Sequence, residues 1–439
     1  MKTISPLFSK EVILEDREHR YLPYIDRIAF IYEYENTKKT KNYFSFAPDR
    51  KYIIDTLQLI LNSYISVLIT HGVSFGIRQI TLPHLDNLFY QYLSLRKYLY
   101  DRVLSYDKNE LMESYNSSIG DDCYKKSVWM YKDFTNIIDE YATKKTKIKM
   151  PLNPVQNYSN KNEYEYKIIN NIIKELNGKL KNYIHSAILH GSYATEDFIR
   201  DYSDLDIIII LKSDCFKDLY TLKKISNQIR NLSYEVYRVD PLQHHGFGIF
   251  TDADLGYYPE FFCPLILFEY GKNMLYDTDN ITVYKRDDEI DRIRMLLIDV
   301  RRLQYRVQYS KYPTSGYRWK QHLSNMMLLP TYFLQAKGVH MYKKYTFFKV
   351  KNEYSNFNWK CIDMASKYRK NWKVKNILRF YPHELRRSNI DLMDASLIRL
   401  GRTIASNSVK MPPKSLIKQH VHLSFELADG LRWEILDNI

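Results

Sequence analysis

The chain has 439 residues, 45% of them hydrophobic and 26% charged, with a formal net charge of +14. That length suffices for two or three domains with substantial cores. Thirteen glycines and 14 prolines, few for this length, argue against a disordered or all-β chain. The cysteines Cys123, Cys215, Cys263 and Cys361 are widely scattered, so neither a disulfide framework, nor a disulfide-linked partner, nor zinc-type spacing is expected. The first ten residues lack the apolar core of a signal peptide. The best apolar run, 57–69, is broken by Asn62, Ser63 and Ser66, so no membrane span is expected and a reducing cytoplasm is the predicted setting.

In chain order, residues 1–150 alternate apolar helical segments (52–69, 85–104, 128–141) with polar connections and carry no chemical motif. The lysine-rich stretch 143–149, followed by Pro151 and Pro154, reads as an exposed linker. A second unit, 155–280, opens with Asn160 and Glu163 at capping-box spacing. Apolar residues then recur at Ile169, Ile172, Ile173, Leu176 and Leu180, a helical stripe that leads into a strand at 187–190. A Gly191-Ser192 turn follows, then a brief helical passage, then a strand that opens Asp204-Leu205-Asp206 and runs on as four isoleucines. Residues 216–237 read as helix again, with Leu219, Leu222, Ile225 and Ile229 on one face.

The chemistry lies in the turn and the two aspartates. Positions i and i+2 of a strand face the same side, so Asp204 and Asp206 present adjacent carboxylates. Like charges that close require a cation, and hard divalent ions suit oxygen ligands. Gly191 and Ser192 stand where a strand hands over to a helix, where free backbone N–H groups can hold a phosphate. A phosphate cradle beside paired carboxylates is the equipment of metal-assisted phosphoryl or nucleotidyl transfer.

This segment resembles the nucleotidyltransferase superfamily typified by DNA polymerase beta, whose signature is an apolar residue, Gly, Gly or Ser, a spacer of about a dozen residues, then Asp-apolar-Asp in a strand. Gly191, Ser192, Asp204 and Asp206 each match that pattern. The resemblance covers residues 155–280. It implies an α+β fold, with a small mixed-sheet nucleotidyltransferase core flanked by mostly helical N- and C-terminal domains. It also implies transfer of a nucleoside monophosphate from an NTP to an acceptor hydroxyl with Mg²⁺ or Mn²⁺. A third carboxylate usually completes such a site. Asp240 is the candidate metal ligand or base, although Pro241 follows at once; if the strand is instead 246–250, Asp252 or Asp254 takes the role. His244 and His245 are adjacent, point to opposite faces of a strand, and cannot easily chelate one ion.

Residues 281–439 read as a basic helical domain, with 30 basic against 14 acidic side chains; residues 151–280 carry 13 against 18, and 1–150 carry 22 against 19. Ile290, Ile293, Leu297, Val300 and Leu303 make one stripe there. The basic third can face a triphosphate or a polyanionic acceptor, or it can simply coat helices with solvated charge. Enzymes of the resembled type close the site with a C-terminal lysine on the triphosphate, and Lys343 or Lys344 is the candidate. The acceptor (small molecule, protein or RNA) is not named by the sequence. A non-catalytic nucleotide- or nucleic-acid-binding regulatory module is the competing expectation.

Overall fold

The fold is α+β, a small mixed sheet with helical N- and C-terminal parts. A computed structural model describes residues 50–71, 81–99, 119–141, 145–155, 163–243, 247–260, 263–286, 312–380 and 391–436, together with Met295, Leu296, Asp299, Val300 and Leu303. Among the described residues three long helices come first: α1 (Arg50–His71), α2 (Thr81–Leu99) and α3 (Ile119–Tyr141). The central part follows as β1 (Lys145–Pro151), α4 (Tyr164–Glu175), β2 (Ile184–His190), a single turn α5 (Gly191–Ala194), β3 (Asp206–Leu211) and α6 (Leu219–Val239). It continues through β4 (Gly248–Thr251), α7 (Asp252–Gly256), α8 (Ile266–Tyr270), β5 (Lys272–Asn273) and β6 (Asn280–Arg286). The C-terminal helices are α9 (Gly316–Ala336), α10 (Lys343–Glu353), α11 (Lys360–Lys370), α12 (Asp391–Asn407) and α13 (Ser415–Leu436).

The main sheet has the order β4-β3-β2-β5, with β3 and β4 parallel and the other pairs antiparallel. Both faces are covered, which explains the unbroken isoleucines of β3. Ile207 and Ile209 join the core shared with the helices, whereas Ile208 and Ile210 pack with Phe250, Tyr258 and Phe268 on the opposite face. That second face is closed by the ribbon of β1 and β6, which are antiparallel partners.

Several local expectations change. The linker expected over 143–149 is a strand from Lys145 onward, because β6, far along the chain, offers it a full ladder from Lys145↔Arg286 to Pro151↔Asn280. The capping box does not open α4: Glu163 is the N-cap without a side-chain cap bond, and Asn160 lies outside the described residues. The predicted stripe is buried, but its last members, Leu176 and Leu180, sit on a π turn rather than on α4. Helix α6 begins at Leu219, where the Asp218 side chain accepts from the Tyr220 and Thr221 N–H groups.

The expected boundary near residue 150 is crossed by one core, in which Leu57, Tyr64, Phe134, Ile172, Ile209 and Ile229 all participate. Helix α1 accounts for this. Its Ile53–Thr70 window is apolar and long enough to cross a bilayer, contrary to the reading of 57–69, yet most of it is buried inside the protein. The polar residues that interrupt the run serve the sheet: Asn62 donates to the Ile249 carbonyl at 3.0 Å, and Gln58 donates to Asp254 at 3.0 Å. A second core, built on Trp319, Leu323, Met327, Phe333 and Trp359, belongs to the C-terminal helices and takes in Tyr202 and Leu242 of the central part. Of the stripe expected at 290–303, Val300 and Leu303 are buried; Ile290, Ile293 and Leu297 lie outside the described residues.

Candidate active site

The edge of the sheet at His190 is where the candidate residues converge. β2 ends there, and Gly191 opens the next turn with φ +70°, a backbone conformation that costs an L side chain roughly 1–2 kcal/mol. A second constraint fixes glycine at this position. A Cβ built on Gly191 falls 2.8 Å from Asp206 Oδ2, so the turn and the carboxylate lie directly against each other. Asp206 starts β3 and pairs in register with His190. Burial drives the His190 imidazole down to about 4, so it is neutral and contributes no positive charge.

Asp204 lies two residues before Asp206, outside the strand, and the intervening Leu205 is clamped. The Leu205 N–H donates to Gln243 Oε1 at 3.0 Å, and Gln243 Nε2 donates back to the Leu205 carbonyl at 2.9 Å. A carboxamide thus supplies the pair of bonds that a neighbouring strand would supply. Gln243 is placed by a turn begun at Asp240: Asp240 Oδ1 accepts the Leu242 N–H at 3.0 Å, and its carbonyl accepts the Gln243 N–H at 3.1 Å. The Pro241 that follows Asp240 fits this turn, in which Asp240 is the C-cap of α6 and not part of a strand.

The strand expected near 246–250 does exist, as β4, but the alternative carboxylates beyond it are committed elsewhere. Asp254 forms a capping box with Thr251 and also accepts from Gln58 and Asn62. Asp252 accepts the Ser213 N–H at 2.9 Å. His244 and His245 lie outside the described residues.

Asp240 and Asp204 are joined by a residue that sequence reasoning missed. Lys320 of α9 donates to Asp204 Oδ1 and to Asp240 Oδ2, and its side chain is 0% exposed. The ammonium also lies over the Tyr202 ring, with Nζ 5.5 Å from its centroid. A signal existed, since Lys320 stands at helical spacing with the core residues Leu323 and Met327, where a lysine is out of place. Gln243 had no local signal.

The electrostatics follow from this packing. Burial, with the neighbouring Asp204, pushes the Asp206 carboxyl up to about 8, against the pull of Lys343 and Lys320. Burial likewise pushes Asp240 up to about 8, opposed first by Lys320. Burial works against the charge of Lys320, but Asp204 and Asp240 outweigh it and hold the ammonium above its usual range. Lys343, the first residue of α10, senses Asp206, Asp204 and Asp197; burial, with Arg369, lowers its amine to about 7. Lys344 is exposed and lies 3.6 Å from Asp197, one step further from the carboxylates. Of the two candidate lysines, Lys343 is the one at the site.

The Gly191 turn, the paired carboxylates and the half-buried Lys343 together make an arrangement suited to a phosphate chain and a divalent cation. Residues 167–243 match the family model described as a nucleotidyltransferase domain. No curated protein and no solved structure matches the chain. The matched segment holds Gly191, Ser192, Asp204, Asp206, Asp240 and Gln243 and stops short of Lys320 and Lys343, so nucleotidyl transfer in general is the function that the central part of this chain supports.

Proposed function

We propose that the protein moves a nucleoside monophosphate from an NTP to an acceptor hydroxyl, using Mg²⁺ or Mn²⁺. The observation that carries the reading is the apposition of the Asp206 carboxylate to the Gly191-Ser192 turn, with Asp204 adjacent. The donor set fits a hard divalent cation: burial, then the adjoining Asp204, raises Asp206 to about 8, and a divalent ion with oxygen ligands relieves the repulsion of two such carboxylates. Asp204 and Asp206 would hold the ion, and a bound ion would neutralise charge on the phosphates at the reacting phosphorus.

The chain's own residues do the rest. The Gly191-Ser192 backbone orients the β- and γ-phosphates. Lys343 contributes a cation on the Asp206 side and binds the departing pyrophosphate. Asp240 is the third carboxylate, poised to draw the acceptor's proton, and burial raises its affinity for that proton. Positioning and charge account for most of the acceleration.

Pyrophosphate release from each NTP, with and without RNA and small-molecule pools, tests this reading. Asp204→Ala/Asp206→Ala is the blank. Release confined to the unaltered chain is the expected result, and the stimulating pool identifies the acceptor class. Nucleotide binding without any release overturns the reading in favour of a non-catalytic regulatory module.

A further inference from the structure

The bridge made by Lys320 bears on how many cations the site takes, a question that rests on the nucleotidyl-transfer reading above. Two-metal phosphoryl chemistry places one ion on the leaving side and one on the attacking side, a few ångström apart. Here the attacking side is Asp240 together with the Oδ1 of Asp204, and a buried ammonium already joins them. We propose that the Lys320 ammonium takes the place of a second divalent cation, so that the site binds one Mg²⁺ or Mn²⁺, at Asp204 and Asp206.

Three observations support this. First, Oδ2 of Asp240 is held by Lys320 and Oδ1 by the Leu242 N–H at 3.0 Å, so a cation there would displace the ammonium, whereas a proton needs only a remaining lone pair. Second, Lys320 is fixed and not a mobile arm. It lies between Trp319 and Leu323 of the C-terminal core, and the Tyr202 hydroxyl donates to its carbonyl at 3.5 Å. Third, the Lys320 ammonium already supplies positive charge between Asp204 and Asp240, whereas Asp206 faces the Gly191 turn on the other side. A second cation beside Lys320 would meet its repulsion at close range.

The chemical consequence concerns the acceptor hydroxyl. Its proton passes to Asp240 while the oxygen attacks the α-phosphorus and the bond to pyrophosphate breaks. As Asp240 takes up that proton, the charge on Lys320 remains to stabilise the attacking oxygen.

The test is the number of Mn²⁺ ions bound by the full-length chain, followed by electron paramagnetic resonance of free Mn²⁺. The unaltered protein, Lys320→Met, Asp240→Asn and Asp204→Ala/Asp206→Ala are compared, with thermal melts reporting folding. The expected result is one ion in the unaltered chain, one in Asp240→Asn, two in Lys320→Met and none in the double variant. Two ions in the unaltered chain, loss of the ion in Asp240→Asn, or a folded Lys320→Met that still binds one overturn the proposal. If Lys320→Met does not fold, Asp240→Asn decides alone, since a ligand role for Asp240 predicts that the ion is lost. The two readings fail separately. Two ions that the double variant lacks leave nucleotidyl transfer standing, whereas no ion in the unaltered chain removes both.

Discussion

Replacing Gln243 by leucine tests whether the Asp204-Leu205-Asp206 segment is held by its own sequence or from outside. Gln243 and Leu205 are both 0% exposed, and their two hydrogen bonds, at 3.0 and 2.9 Å, lie in the protein interior. Leucine keeps the bulk of the side chain but offers neither acceptor nor donor, so the Leu205 N–H and C=O are left buried without these partners. Each orphaned group costs roughly 1–3 kcal/mol, so the pair costs about 2–6 kcal/mol, partly offset by the added apolar burial. Urea unfolding followed by circular dichroism measures the change as a shift in midpoint at constant slope. Turnover, measured where the variant is fully folded, should fall further than stability alone explains, because the peptide that aims both carboxylates has lost its clamp. A stability change below about 0.5 kcal/mol, the range of an ordinary surface substitution, with unaltered turnover, would refute the reasoning.

Gly191→Ala should abolish pyrophosphate release and lower stability by roughly 1–2 kcal/mol, since the new methyl combines a left-handed backbone with a collision at Asp206; a thermal melt and a release assay check it. Asp204→Asn or Asp206→Asn should end turnover while leaving the far-ultraviolet spectrum unchanged, and chelation by EDTA should end it reversibly in the unaltered chain. Lys343 gives a pH-dependent prediction whose sign is fixed. Its amine titrates near 7 in the free protein, so at pH 8 it is mostly neutral, and an adjoining triphosphate favours the charged form. Nucleotide binding in EDTA at pH 8 should therefore take up protons, seen by calorimetry in buffers of different ionisation enthalpy. Lys343→Ala should take up fewer protons, the remainder going to Asp206 and Asp240, which are both raised to about 8, and equal uptake in both proteins would contradict the placement of this lysine.

What the sequence determined by itself is local. Gly191-Ser192 and Asp204-x-Asp206 are legible because a turn requiring glycine and a strand with period two are both short-range constraints. The helical stripes of α4 and α6 are legible for the same reason, as residues three and four apart share a face. Tertiary structure decided everything that depends on a distant partner. The lysine-rich 145–151 segment is a strand only because β6 pairs with it, and its own composition reads as a loop. Helix α1 carries no motif yet shares the core of the sheet, because packing depends on facing surfaces and not on adjacency in sequence. Asp240 reached the site from a helix end where a strand had been sought. Gln243 and Lys320 show the limit most clearly. Their roles reside in bonds to Leu205, Asp204 and Asp240 across 38 to 116 residues, and nothing near them in sequence encodes those partners. A buried charge or carboxamide is stable only when folding delivers its counterpart, so the chemistry of this site was completed by the packing of the C-terminal helix and the α6 turn against the sheet.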